Sequence, residues 1–336
     1  MITRNYMLLF TFLLCTIFAI IIKRQSDSRN GLIRSSSSLR QRALEEYPRL
    51  LHDDLVYDHR RNTVPIVNEE YKLIFFLSAK VASSQWVRFL MRANADELWC
   101  SNETTLHNPQ VNGLKYLSDY TLEEAQKMMV SKEWTRAVFV RHPKPRLLSA
   151  FIDKAIDHNE TFIEKYCPHY ADRIHSTDEE DHDPDIEYCI EHHLEFDFFL
   201  YNITRVMHDN VHFRSLYSTI DEKWWPFINF IGHMHTLSED TELLLQSLFS
   251  RKNEKTLWEN IGQSGWGDTR DCENFGTEAF LTKRENHHET DAKDKLKDYY
   301  TPELELFVEN HFADDLNNPY FHIRPMSIFP KSNLEE

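Results

Sequence analysis

Two short stretches of the chain bring anion-binding residue types to the start of a helix. In the first, Ser78-Ala79-Lys80-Val81-Ala82-Ser83-Ser84, a lysine is followed by small residues and two hydroxyls. A turn of small residues feeding a helix N-terminus leaves backbone N–H groups to face an anion. Lys80 adds a point charge, and Ser83 and Ser84 add donors. The second stretch is Arg141-His142-Pro143-Lys144-Pro145-Arg146, followed by Leu147, Leu148 and Ser149. Arg141 can grip a phosphate through two parallel N–H donors, and Ser149 can donate to the same anion. Two such turns on neighbouring strands suit a ligand with two separated phosphate-like groups. The chain contains no G-x-x-x-x-G-K-[ST] sequence, which argues against a nucleotide kinase.

Each turn needs a strand before it and a helix after it. The run Leu73-Ile74-Phe75-Phe76-Leu77 reads as a strand buried on both faces. Trp86, Phe89, Leu90 and Ala93 recur at helical spacing, which predicts a helix over Gln85–Leu98. Ala137-Val138-Phe139-Val140 predicts a second buried strand. Pro143 and Pro145 forbid a continuing ladder, so residues 141–146 break the strand, and Arg146 shares the first turns of the following helix with Ser149. Leu147, Leu148, Phe151 and Ile152 then predict a helix. Apolar runs alternating with helical periodicity from about Tyr71 onward indicate an α/β class, with a central parallel sheet flanked by helices. The acidic stretch 176–187 reads as a solvated surface loop, and no internal repeat is present.

Composition narrows the function classes. The chain has 336 residues and a net charge of −16, which disfavours a nucleic-acid binder that must meet phosphate charge with a basic face. Hydrophobic residues at 41% exclude a wholly disordered chain. Residues 6–22, YMLLFTFLLCTIFAIII, carry no charge and predict an uncleaved transmembrane signal anchor, short but sufficient. A cleaved signal is the alternative, but no A-x-A-like site follows. Residues 1–5 then form a short tail, 23–69 a polar stem, and 70–336 a globular domain. Lys23, Arg24, Arg29 and Arg34 beyond the span favour a cytosolic C-terminal part. Three N-glycosylation sequons, at Asn102, Asn159 and Asn202, and an even set of cysteines, Cys100, Cys167, Cys189 and Cys272, favour a lumenal one. Four cysteines allow two disulfides in three connectivities, or four free thiols.

The segments FFLSAKVASSQWVRFL and FVRHPKPRLLSAFIDK together resemble the Golgi carbohydrate sulfotransferases, the group with the chondroitin and dermatan enzymes. The first is similar to the family's PKV-small-(S/T/C)-x-x-W loop. The second is similar to its RxPxxRLxSAxxxK segment, with Arg141, Pro143, Arg146, Leu147, Ser149, Ala150 and Lys154 in register. The resemblance extends through 211–214, 227–245 and 299–315, covering roughly Lys72 to Tyr320. Ala79 stands where the family usually has Pro, and Lys144-Pro145 where it has Phe-Glu.

The resemblance implies a P-loop-like sulfotransferase fold and a sulfuryl transfer from 3′-phosphoadenosine 5′-phosphosulfate to a glycan hydroxyl, without a metal. By this resemblance Lys80, Val81, Ala82, Ser83 and Ser84 hold the 5′-phosphosulfate, and Arg141 and Ser149 the 3′-phosphate. Lys80 stabilises the leaving oxygen. A histidine suits the role of general base. His107, between the two donor segments, is the first candidate and His212 the second. The implied acceptor is a galactosamine-containing glycosaminoglycan such as chondroitin, and the implied place is the Golgi membrane, single-pass type II, with a lumenal catalytic domain. A polyanionic acceptor calls for a basic groove, for which Arg88, Arg92, Lys115, Arg173, Arg205, Arg214, Arg251 and Lys252 are candidates. The altered loop residues leave a catalytically weakened glycan- or nucleotide-binding paralogue as the alternative.

Overall fold

The apolar runs at 73–77 and 137–140 become adjacent central strands of one sheet. The computed structural model describes residues 49–50, 64–94, 103–174, 183–249 and 291–329. The chain divides into two units, 1–48 and 49–336, and all described residues belong to the second. In chain order the main elements are β1 (Ile66–Asn68), β2 (Leu73–Phe76), α1 (Ser83–Ala93), β3 (Lys115–Tyr116), α2 (Leu122–Val130) and β4 (Thr135–Val140). They continue with α3 (Pro143–Phe151), α4 (Asn159–Ile174), α5 (Asp183–His192), β5 (Phe230–His233), α6 (Leu237–Phe249) and α7 (Pro302–His311).

The sheet order is β3-β1-β2-β4-β5. β2, β4 and β5 are parallel, as expected of strands linked through helices, whereas β1 pairs antiparallel with both β2 and β3. The centre of the sheet is thus parallel, as the sequence reading expects, and β1 adds antiparallel pairing towards one edge. The reason is local. Only Glu69–Lys72 separate β1 from β2, too few residues for a crossover, and Lys72 takes a left-handed φ of 49° to close the turn. Tyr71 N–H donates to Asn68 Oδ1 at 2.9 Å within it. Ile66–Asn68, read from sequence as the end of the stem, thus belongs to the sheet.

Every residue of β2 and β4 is buried, which fits strands covered on both faces. Trp86 of α1 lies over them, 4.5 Å from the Phe75 ring and 4.8 Å from that of Phe139. Phe139 also presses on β5: a Cβ on Gly232 would fall 2.3 Å from its ring, so only glycine fits there. A second apolar cluster gathers α3, α4 and the C-terminal helices around Phe151, Phe199, Phe213 and Phe312. Cys167 of α4 and Cys189 of α5 form a disulfide. Cys100 and Cys272 lie outside the described residues, as do the predicted span 6–22 and Asn102. Among the described residues no helix is long and apolar enough to cross a membrane.

One boundary is sharpened and one reading corrected. The strand ends before Arg141 as expected, and Pro143 opens α3, so that Arg146 lies in its first turns. Proline is tolerated in a first helical turn, where its missing N–H would have had no partner. Within the acidic stretch, Asp183 begins α5, and only the part before it stays outside the described residues.

Candidate functional site

Both anion turns sit at the C-terminal ends of parallel neighbours, β2 and β4, where open α/β sheets place their ligand crevices. The first turn has no glycine, yet Lys80 and Ala82 adopt left-handed φ values of 63° and 55°. Such residues cost roughly 1–3 kcal/mol each and cluster where backbone must face a ligand. Alternation through left-handed residues also builds the concave arrays of N–H groups that bind anions. Val81 is buried beneath the turn, and Ser83 and Ser84 open α1.

The second turn closes on the first. Arg141 Nη1 donates to the carbonyl of Lys80 at 3.0 Å. Burial, with Arg146 nearby, brings the Arg141 guanidinium down to about 10, so it keeps its charge at neutral pH. His142 caps α3, its Nδ1 accepting from Lys144 N–H at 3.2 Å. Burial, then Lys144, lowers the His142 imidazole to about 4, so the accepting nitrogen stays unprotonated. Ser149 lies buried in the second turn of α3.

Around Lys80 the structure assembles a charged cluster. Its Nζ lies 3.1 Å from Asp153 Oδ2, and Lys154 Nζ lies 2.9 Å from the same oxygen. Burial pulls the Lys80 ammonium below the usual lysine range while Asp153 works against that fall. Burial also pushes the Asp153 carboxyl up, but Lys80 and Lys154 outweigh it and hold it well below the ordinary range. Asp153 sits in a single π turn, Ile152–Ile156, that follows α3. Such turns often mark functional sites.

Two histidines complete the site. His107 follows a short helical turn, and its Nε2 lies 3.0 Å from Ser84 Oγ. Buried Asn112 fixes that segment by donating to Leu106 O and to Tyr116 Oη, each at 2.8 Å. His212 stands on the segment after α5. Burial, then Lys154 and Lys80, keep its imidazole far below the ordinary range, and it also feels His107. Among the described residues its buried Nδ1 has no hydrogen-bond partner. Its backbone is tied down: His212 N–H donates to Asn210 Oδ1 at 3.0 Å, and Arg146 Nη1 donates to His212 O at 3.3 Å. Next to it Asp315 accepts from Leu216 N–H at 3.0 Å and Tyr217 N–H at 2.8 Å.

Lys80, Ser84, His107, Arg141 and His212, all read from the sequence, are therefore neighbours. Asp153 was missed. Its signal was a lone carboxylate inside the apolar run from Ala150 to Ile156, next to Lys154. Of the described candidates for a basic groove, four are buried or paired. Arg88 and Arg214 are buried, Lys115 pairs with Glu69 at 2.8 Å, and Arg173 pairs with Asp209 at 2.7 Å. Arg205 is exposed, and the side chains of Arg92, Arg251 and Lys252 lie outside the described part. Of the sequons, Asn159 opens α4 and its Oδ1 lies 2.7 Å from His193 Nε2, while Asn202 lies in a helical turn whose Thr204 is buried. Among the described residues no three His, Cys, Asp or Glu side chains converge as metal ligands would.

Residues 65–310 match the family described as "Sulfotransferase family". Among curated relatives, human carbohydrate sulfotransferase 10 is 34% identical over 98 residues, 29% of this chain and 27% of that protein. Human carbohydrate sulfotransferase 9 is 27% identical over 202 residues, 56% of this chain and 42% of that protein. Zebrafish (Danio rerio) carbohydrate sulfotransferase 10 is 27% identical over 189 residues, 54% of this chain and 51% of that protein. The matches thus span from about a quarter to half of the relatives' length. No solved structure matches.

Proposed function

The chain belongs to the sulfotransferase family, and from that premise we propose that it is a carbohydrate sulfotransferase. It would transfer a sulfuryl group from 3′-phosphoadenosine 5′-phosphosulfate to a glycan hydroxyl. The observation that carries this reading is the bond from Arg141 Nη1 to the Lys80 carbonyl, which joins the two anion turns into one crevice. A donor with phosphates at both ends of its ribose needs that spacing of charge.

The residues divide the work as follows. The turn from Lys80 to Ser84 binds the 5′-phosphosulfate through backbone amides and hydroxyls. Arg141 and Ser149 bind the 3′-phosphate. Lys80 meets the negative charge that grows on the oxygen bridging phosphorus and sulfur as that bond breaks. Like phosphoryl transfer, the reaction asks for in-line positioning and charge stabilisation rather than a protein nucleophile. The sugar oxygen forms the new bond to sulfur, and its proton passes to His107. The contact with Ser84 fixes the orientation of the His107 ring.

A galactosamine-containing glycosaminoglycan such as chondroitin is the acceptor the reading favours, followed by other glycans of the relatives' class. We also place the protein in the Golgi membrane, anchored by residues 6–22, with residues 70–336 in the lumen. The Cys167–Cys189 disulfide supports an oxidising compartment. The test incubates the full chain with radiolabelled donor and a panel of glycans. Transfer to a glycan, cut by about 100- to 1,000-fold in Lys80→Ala, is the expected result. Donor binding without transfer to any acceptor would favour the paralogue that binds but does not turn over.

A further inference from the structure

Lys80 is a nearly buried ammonium whose neighbours are mostly cationic or neutral. Its side chain is 14% exposed. Arg141 approaches from the end of β4, Lys154 from the π turn and His212 from the segment after α5. His107 stands across the turn at Ser84. Among the described residues the anionic exception is Asp153, whose own side chain is only 11% exposed. A desolvated lysine among positive charges gives up its proton readily, and a neutral amine cannot stabilise a departing oxyanion.

We infer that Asp153 is a positioning residue for the transfer step, its carboxylate holding the Lys80 ammonium charged and fixed beside the 80–84 turn. This inference rests on the proposed transferase reading. The geometry is specific. Asp153 Oδ2 takes Lys80 Nζ at 3.1 Å and Lys154 Nζ at 2.9 Å, so one oxygen serves both ammonium groups. From the other side, His158 Nδ1 lies 3.7 Å from Asp153 Oδ1 and 2.5 Å from the Asp153 carbonyl, bracing the residue on its own turn. The π turn makes this possible. Its wider loop, closed by Asp157 N–H on Ile152 O at 2.8 Å, sets Asp153 against Lys80. Lys154 shares the carboxylate, so Asp153 does not neutralise Lys80 outright. The pair keeps net positive charge for an incoming anion.

The test reads Lys80 directly, without turnover. The full chain and its Asp153→Asn variant are pulse-labelled with an amine-acylating reagent across pH, and labelling at Lys80 is quantified by mass spectrometry. The expected result is a Lys80 titration lower by about 1–3 pH units in Asp153→Asn. With donor and acceptor, the same variant should lose at least about 30-fold in kcat with donor KM changed less than about threefold, and the alkaline limb of its pH–rate profile should move down with the lysine. Asp153→Glu keeps the charge, should stay near the parent titration, and stands in if the Asn variant does not fold. An unshifted Lys80 titration in Asp153→Asn, or a Glu variant shifted well below the parent, overturns the inference. A parent chain that transfers sulfate while Lys80 titrates unchanged in the variant sinks the inference alone. A parent that transfers nothing sinks the transferase reading and leaves the labelling result to decide the role of Asp153 in holding Lys80.

Discussion

Two lysines lie beside the second turn, and the structure treats them in opposite ways. Lys144, fully buried in α3, meets Glu305 and Glu309 of α7 and the carbonyl of Met326. Tyr300 Oη adds a bond to the Lys144 carbonyl at 2.9 Å. Among the described residues Lys80 has one carboxylate, shared with a second lysine, and it sits on a strained backbone. A lysine whose three donors are all met by protein is a structural rivet. One held by half a carboxylate among other cations retains capacity for an outside anion. The contrast also explains a departure noted in the sequence. Lysine at 144 is accommodated because α7 supplies two acidic partners.

The largest separation of the two regions comes from removing each charge. Lys144→Ala leaves Glu305 buried without its cation and should cost about 3–5 kcal/mol of stability, read as a lower denaturant midpoint. Donor binding per folded molecule should hold. Lys80→Ala should do the reverse: Asp153 keeps Lys154, so the fold changes little, while kcat falls by about 100- to 1,000-fold. Equal losses of stability in the two variants would erase the distinction. Arg141→Ala comes next. Losing a charge-assisted hydrogen bond of about 1.5–3 kcal/mol should weaken donor affinity about 10- to 150-fold by calorimetry.

A smaller effect concerns pH. The folded His142 imidazole lies near 4, because burial and then Lys144 disfavour its charged form. The unfolded chain takes up that proton at about 6.5. The stabilising contribution is therefore complete above pH ~6.5 and declines as pH falls toward 4, by about 2 kcal/mol at pH ~5. His212 acts in the same direction. His142→Asn keeps a cap acceptor for Lys144 N–H. Its stability curve between pH ~6.5 and ~5 should be flatter than the parent's, and an unchanged slope would remove His142 as the source.

The anion turns were legible because each joins an unbroken apolar strand to a periodic helix, and Lys80, Ser83, Ser84 and Arg141 punctuate that pattern. His107 emerged only through the family resemblance, since periodicity says nothing about one histidine among many. β1 was not legible. Three residues are too few to carry a period, and pairing with β2 and β3 gives them their strand conformation. α3 starts at Pro143, ahead of the apolar period that opens at Leu147, because a first turn accepts prolines. Asp153 was hidden by the π turn, which shifts side-chain direction by an amount no 3.6-residue template anticipates.

The most direct measurement is a crystal structure of the chain with 3′-phosphoadenosine 5′-phosphate, the nucleotide left after sulfuryl transfer. The 5′-phosphate should lie against the backbone amides of Lys80–Ser84, with Lys80 Nζ on its outward oxygen and the 3′-phosphate within hydrogen-bond reach of Arg141. A nucleotide bound elsewhere, or one whose two phosphates do not bridge these turns, would contradict the reading.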